Sequence, residues 1–272
     1  MHAPRRLILV NQAANYLTIG YANAFAAKGV VVTLMTGSVH VQGEPLDPRV
    51  EWIRTVRWRQ RPAAAKASAY AAFMLQVWAR ILFRYPRHDV LFISIPPMAW
   101  FLALVLPNRC GVLVWDVYPD LLRVTGMPSS HWIYRTWAAL NRRAFRRMQR
   151  IFTISEPMRD LLGAYVNPAR IHVTPIWSIF KGTEHVPRRH NPFLDENPDR
   201  KDRFIVQYSG NVGMSHHVEA LLDVAEWLQD DPRFLIQIIG RGPRETVIRE
   251  QARQRGLTNM ELLPFQSDER FI

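Results

Sequence analysis

Apolar residues along this chain fall into short, nearly unbroken blocks separated by longer stretches with helical spacing. The blocks at 7–11, 30–36, 50–56, 90–94, 112–117, 151–155 and 171–176 are aliphatic and β-branched, and they predict strands. Between them, the spacing predicts helices at about 18–28, 66–84, 98–106, 131–149 and 156–165. Several blocks are apolar throughout rather than alternating, as strands covered on both faces should be. This alternation predicts a parallel sheet with crossover helices.

The pattern lapses at 177–203, where Pro187, Pro192 and Pro198 sit among basic residues, Asn and Asp; this stretch predicts an interdomain linker with a loop. Alternation then resumes with strands at 204–209, 234–239 and 260–264 and helices at about 217–229 and 244–255. The expected architecture is therefore α/β, with two Rossmann-like doubly wound domains. Residues 1–176 form the first. Residues 204–272 begin the second, which is expected to be incomplete because three strands are fewer than such a sheet usually holds.

Composition narrows the class. With 272 residues, 48% hydrophobic and 21% charged, the chain can bury a large core or two moderate ones. The single cysteine, Cys110, excludes a disulfide framework and suits a reducing cytoplasm. The first apolar run, Leu7 to Val10, is too short for a signal peptide. The longest, Val90 to Leu106, is interrupted by Pro96 and Pro97, which would break a spanning helix; it predicts a buried strand, a sharp turn and a short buried helix.

Charge is unevenly shared. Residues 1–176 carry a net +14 and residues 177–272 a net −2, within a total of +12. A basic half fits nucleic acid or an anionic membrane surface. No helix-turn-helix, zinc-ligand or RNA-binding aromatic signature accompanies it, so nucleic acid is not an expected partner. Residues 131–150 set Trp132, Ile133, Trp137, Leu140, Ala144 and Met148 near one helix face, among Arg135, Arg142, Arg143, Arg146, Arg147 and Arg150. Such a stripe is either core-facing with a solvated basic back or a membrane-surface helix. Ala63 to Arg84, with Tyr70, Phe73, Met74, Trp78, Ile81, Leu82 and Phe83, is a second basic, aromatic-bearing stretch. Together with the +14 they favour docking on anionic lipid.

The candidate chemistry lies at strand ends. Tyr208-Ser209-Gly210-Asn211-Val212-Gly213 leads from a strand toward a helix, past Ser215-His216-His217. Gly210 and Gly213 permit a tight turn and close backbone approach, and a helix N-terminus beyond can seat a diphosphate. Asn211 and His216 are further donors; the alternative is an ordinary strand-to-helix turn. Gly240-Arg241-Gly242-Pro243 repeats the plan after the next strand, with Arg241 either on a phosphate or base or simply solvated. Parallel strand ends of this kind face one crevice. In the first domain, Asn11, Gln12 and Gly20 mark the first loop and the helix start, either contacting acceptor or donor or forming a polar turn. Asp116 ends a buried strand, as a group to orient or deprotonate a hydroxyl or as a helix cap or Arg partner. Asp120 precedes Leu121-Leu122 as an N-cap.

These segments occur in a familiar order. The SGN-x-G–x-x-H segment, then IGRGP, then Gly256-Leu257-Thr258-Asn259-Met260 resemble the donor domain of family 4 retaining glycosyltransferases of the GT-B fold. Trp115-Asp116-Val117-Tyr118-Pro119-Asp120, Thr153-Ile154-Ser155-Glu156-Pro157-Met158 and Thr174-Pro175-Ile176-Trp177-Ser178 are similar to the D-x-x-P-D, I-S-x-x-M and P-x-W segments of its bacterial O-antigen, capsule and exopolysaccharide subgroup.

The resemblance implies a nucleoside diphosphate-sugar donor on the second domain and a lipid-linked acceptor on the first, with retention of configuration and no bound metal or cofactor. It places the chain in the cytoplasm, peripheral on the inner membrane face. Where many members carry Arg and Lys against the diphosphate, this chain has Asn211 and His216. The family's paired glutamates and closing helix lie beyond Ile272, so a truncated chain, and a second chain supplying that region, are expected. A sugar-nucleotide epimerase and a non-catalytic binding fragment are the alternatives.

Overall fold

The computed structural model describes residues 5–59, 63–177, 186–214, 216–264 and 266. The chain divides into two compact units, Met1–Ile179 and Phe180–Ile272, each with its own sheet and core. In the first unit seven strands pair in parallel: β1 (Arg6–Val10), β2 (Val31–Thr36), β3 (Glu51–Arg54), β4 (Asp89–Ile93), β5 (Cys110–Val114), β6 (Arg150–Thr153) and β7 (Ile171–Val173). Their order is β3-β2-β1-β4-β5-β6-β7, with Ile8 set between Thr33 and Val90. The order reverses between β1 and β4, the doubly wound plan that the alternation of blocks predicts.

Successive residues of a strand point to opposite faces, so apolar blocks feed two cores. Ile8, Val10, Phe92, Val112 and Ile151 pack on one face against Phe73, Val77 and Ile81 of α2 (Ala63–Arg84) and Phe145 of α3 (Trp132–Arg147). Leu9, Leu34, Leu91, Ile93 and Leu113 pack on the other against Ala22 and Ala26 of α1 (Tyr16–Ala27). The run from Val90 resolves as β4, a turn through Pro96 and Pro97, and a 3-10 segment at Ala99–Leu104 carrying the buried Trp100. Among the described residues no helix is long and apolar enough to cross a membrane.

The stripe read on α3 is divided, with Ala144 and Met148 buried and Trp132 outside. The helix's buried positions are Ala138, Asn141, Ala144 and Phe145, whereas Trp132 is 70% exposed. The polar Asn141 is inside because it takes the indole N–H of Trp100 (3.0 Å) and donates to the Tyr118 carbonyl (2.6 Å). Asn141→Leu orphans both groups and is expected to cost about 2–5 kcal/mol, read as a lower denaturant midpoint with unchanged slope.

The second unit holds β8 (Phe204–Ser209), β9 (Phe234–Ile239) and β10 (Met260–Leu263), parallel in that order. α5 (Ala220–Trp227) and α6 (Glu245–Gln254) cover one face, with Leu222, Ala225, Ile248 and Ala252 against Ile236 and Ile238. Residues 186–203, expected as part of a linker, instead carry a helical turn at Pro192–Glu196 that buries Leu194. Arg200 then pairs with Glu261 of β10 at 2.9 Å, and Gln237 of β9 donates to the same carboxylate at 3.1 Å. These contacts tie the stretch to the sheet of the second unit.

Candidate functional site

At the C-terminal edge of the first sheet, the loop after β1 is closed by its own side chains. Asn11 is fully buried; its amide donates to the Ile93 carbonyl (3.0 Å) and its oxygen accepts from the Ala13 N–H (2.9 Å). Gln12, also buried, donates to the carbonyls of Val56 (3.2 Å) and Ala69 (3.1 Å), and its own N–H bonds the Ile95 carbonyl (2.7 Å). The geometry makes this pair part of a polar turn. These bonds join β1, β3, β4 and α2, while the Gln12 side-chain oxygen is buried with no partner among the described residues. Gly20 lies inside α1, where an added Cβ would sit 2.8 Å from the Trp177 ring. Trp177 also meets Tyr21 edge-on at 4.7 Å. The glycine therefore makes room for this tryptophan, and the P-x-W segment serves to pin α1.

One strand further along, the edge opens. Trp115, Asp116, Val117, Asp120, Arg123, Met158 and Leu161 line a pocket of about 590 Å³ beyond the end of β5. Asp116 reaches solvent at its mouth, and among the described residues its carboxylate has no hydrogen-bond or ionic partner. The surrounding protein still withdraws enough water to raise its carboxyl above the ordinary value. An unpaired, partly desolvated carboxylate in an apolar-walled pocket is suited to orient or deprotonate a hydroxyl.

Asp120 departs from its expected role. It stands at the cap position of the short helix Leu121–Val124 but makes no capping bond. Its carboxylate instead accepts the hydroxyls of Tyr134 (2.7 Å) and Tyr165. Burial and this acid raise both phenols above their usual value, Tyr165 the more strongly. The two carboxylates of the D-x-x-P-D segment thus divide the work, Asp120 anchoring the turn and Asp116 left free. Ser155 of the I-S-x-x-M segment caps α4 (Glu156–Leu162), accepting from the Met158 N–H.

In the second unit the two glycine turns touch. Gly210 N–H donates to the Ile239 carbonyl (2.9 Å) and Val212 N–H to the Arg241 carbonyl (3.0 Å), while Arg244 N–H returns to Val212 (3.3 Å). An added Cβ would fall 1.9 Å from the Gly210 oxygen at Gly240 and 2.1 Å from the Val212 oxygen at Gly242. Only glycine allows this interlock. At Gly213 a Cβ would meet the side chains of Asn211 (2.7 Å) and His216 (3.1 Å), so these two fold over it. Gly210 has only ordinary contacts, the nearest being the Tyr208 hydroxyl at 3.4 Å. Asn211, His216 and Arg241 remain exposed on the joined turns, and among the described residues Arg241 has no acidic partner. The structure thus gathers Gly210, Asn211, Gly213, His216, Gly240, Arg241 and Gly242 into one patch.

The helix expected to start near 217 begins at Ala220. Glu219 occupies its cap position and pairs with Arg244, at the start of α6. A carboxylate already stands where the positive helix end would draw an anion. Arg241, Asn211 and His216 are left exposed on the joined turns. Arg123 near Asp116 and the Glu219–Arg244 pair escaped the sequence reading. The signal for the pair is the placement of Glu219 and Arg244 at two helix starts.

Residues 17–177 match the glycosyl transferase 4-like domain family. WcaI of Escherichia coli, named for colanic acid biosynthesis, is 30% identical over 131 residues, covering 47% of this chain and 32% of that protein. WbjE of Pseudomonas aeruginosa, named as a glycosyltransferase, is 25% identical over 68% of this chain and 47% of its own length. The chain spans less than half the length of either relative. Among solved structures, WaaG, a glycosyltransferase of lipopolysaccharide biosynthesis, superposes with a TM-score of 0.64 at 15% identity, over 97% of this chain and 71% of its own. Anabaena HepE, solved with UDP and glucose, gives 0.60 at 12% identity, over 97% and 70%. Such likeness shows the fold, which is the GT-B fold of these enzymes. With the domain match spanning more than half of its residues, the chain belongs to the glycosyl transferase 4-like family.

Proposed function

We propose that this chain transfers a sugar from a nucleoside diphosphate-sugar to a lipid-linked glycan in cell-surface polysaccharide synthesis. The observation that carries the proposal is the interlock of the two glycine turns, which presents Asn211, His216 and Arg241 together at the ends of β8 and β9. Exposed side-chain donors and one guanidinium without an acidic partner among the described residues suit a diphosphate. The names of WcaI and WbjE and the UDP and glucose in HepE support the same donor class.

In this reading the second unit holds the donor and the first the acceptor. The acceptor hydroxyl bonds to the anomeric carbon as the bond from that carbon to the diphosphate oxygen breaks. Asp116 orients the hydroxyl and takes its proton, and the nucleoside diphosphate leaves with its charge met by Arg241 and a hydrogen bond from His216. Retention of configuration and transfer without a bound metal belong to the same proposal.

So does a cytoplasmic position on the inner membrane face. α3 exposes Trp132 with Arg135, Arg142, Arg143 and Arg146, and α2 exposes Leu75 and Phe83. Each Lys or Arg held near an anionic surface contributes about 1 kcal/mol.

Thermal unfolding of the full chain with UDP, GDP and their sugars tests the donor reading. A matching nucleotide at a hundredfold excess over its Kd is expected to stabilise by about 2.7 kcal/mol. Unchanged melting with every nucleotide would count against it. Flotation with anionic vesicles is expected to be strong at low salt and to weaken steeply as salt screens it.

A further inference from the structure

The outer side of α2 carries an apolar groove of about 590 Å³. Tyr70, Met74, Leu75 and Trp78 form one wall, and Leu102 and Val105 of the segment after β4 form the other. Its direction follows from the fold. α2 leaves the C-terminal edge of the sheet after β3 and descends to the start of β4; the 99–104 segment makes the same descent from β4 to β5. The groove between them therefore begins at the edge where Asp116 stands. From Ala67 to Trp78 it follows α2 for about 16 Å at the helical rise per residue. Tyr118, two residues after Asp116, is within electrostatic range of both Asp116 and Tyr70.

Neither wall has the chemistry of an ordinary solvated surface. Leu75 is 63% and Val105 61% exposed, and the outward positions Ala67, Ala71 and Leu75 form an apolar stripe at helical spacing. The charge around it has one sign. α2 contains Lys66, Arg80 and Arg84 and no acidic residue. Arg80 is turned to the Arg54 carbonyl (2.9 Å), but the Lys66 ammonium lies 5.8 Å from the Tyr70 ring, at the head of the groove. Among the described residues Lys66 has no acidic partner.

We propose that this groove holds one long hydrocarbon chain of a lipid phosphate, with Lys66 against the phosphate and the glycan end directed to Asp116. The apolar walls fit the chain, and the unpaired cation at their head fits the anion. The inference rests on the lipid-linked acceptor proposed above and specifies where its anchor lies.

The test uses the full chain and a benzophenone-bearing farnesyl phosphate, with no sugar donor present. Photolabelling is expected on peptides covering 63–84 and 98–106. Ala71→Trp, which fills the groove from an exposed position, is expected to cut labelling at least tenfold, and Leu75→Glu to do the same by charge. Lys66→Glu should weaken labelling by the phosphate probe and leave the matching farnesol probe unchanged. Trp132→Ala on α3 should have no effect. Label concentrated on α3, or label indifferent to Ala71→Trp and Leu75→Glu, overturns the proposal. Because no donor is involved, failed nucleotide binding leaves this result standing, and failed labelling with intact nucleotide binding removes the groove alone.

Discussion

Replacing Gly240 by alanine is expected to lower the stability of the second unit by about 3–5 kcal/mol, since it overpacks the contact and strains the bonds joining the turns. Its new methyl would stand 1.9 Å from the Gly210 carbonyl oxygen, a backbone atom that moves only with the turn. The hydrogen bonds from Gly210 to Ile239 and from Val212 to Arg241 would lengthen or break. Nucleotide binding should fall with them by at least tenfold, because Asn211, His216 and Arg241 would no longer be held together. Gly210→Ala is the contrast. Its Cβ would meet the Tyr208 hydroxyl at 3.4 Å, an ordinary contact, so the same chemical change should leave the midpoint nearly unmoved. Chemical denaturation of both variants reads the difference, and equal losses would refute the interlock.

The second large effect concerns Asp116. Asp116→Asn is expected to lower the rate of sugar transfer by about 10²–10⁴, the usual contribution of a positioned acid–base group, without lowering the melting temperature. The sign follows from the environment. Partial desolvation raises the folded-state pKa, so the native protein resists carrying this charge. Wild-type stability therefore declines as pH rises from the ordinary carboxylate value to the raised one, and stays at that lower level above it. The asparagine variant escapes this cost, so its advantage should be present above the raised value and vanish in acid. Activity should run the other way. The ionised form is the one that accepts a proton, so the acid limb of the rate profile should lie above that of an ordinary aspartate. A variant both slower and markedly less stable would indicate a structural role.

Much of this fold is written locally. Blocks such as Val90–Ile93 and Val112–Val114 are apolar throughout because helices cover both faces of the sheet, and that composition is visible without coordinates. Pro96 and Pro97 announce the end of β4 just as plainly. The second unit was harder to read at its beginning. Pro192 and Pro198 looked like loop markers, yet each opens a helical turn, where a missing N–H costs nothing.

The site divides in a similar way. A strand end followed by glycines is a local signal, and it located 210–213 and 240–242. The purpose of each glycine is not local. Gly240 and Gly242 are required by the neighbouring turn, and Gly20 by a tryptophan 157 positions later. Asn11 and Gln12 had the composition of ligand contacts, but their partners are the carbonyls of Ile93, Val56 and Ala69, far along the chain. Sequence separates Asp116 from Asp120 but assigns Asp120 a capping bond it does not make. They differ because Tyr134 and Tyr165, both distant, reach only one of them.

The account stands most directly on amide hydrogen exchange of the full chain with and without a saturating nucleoside diphosphate. Slower exchange is predicted at residues 210–216 and 240–242, with little change around Asn11 and Gln12. Protection confined to the first unit, or none at either glycine turn while the nucleotide is demonstrably bound, would contradict the assignment of the donor to these turns.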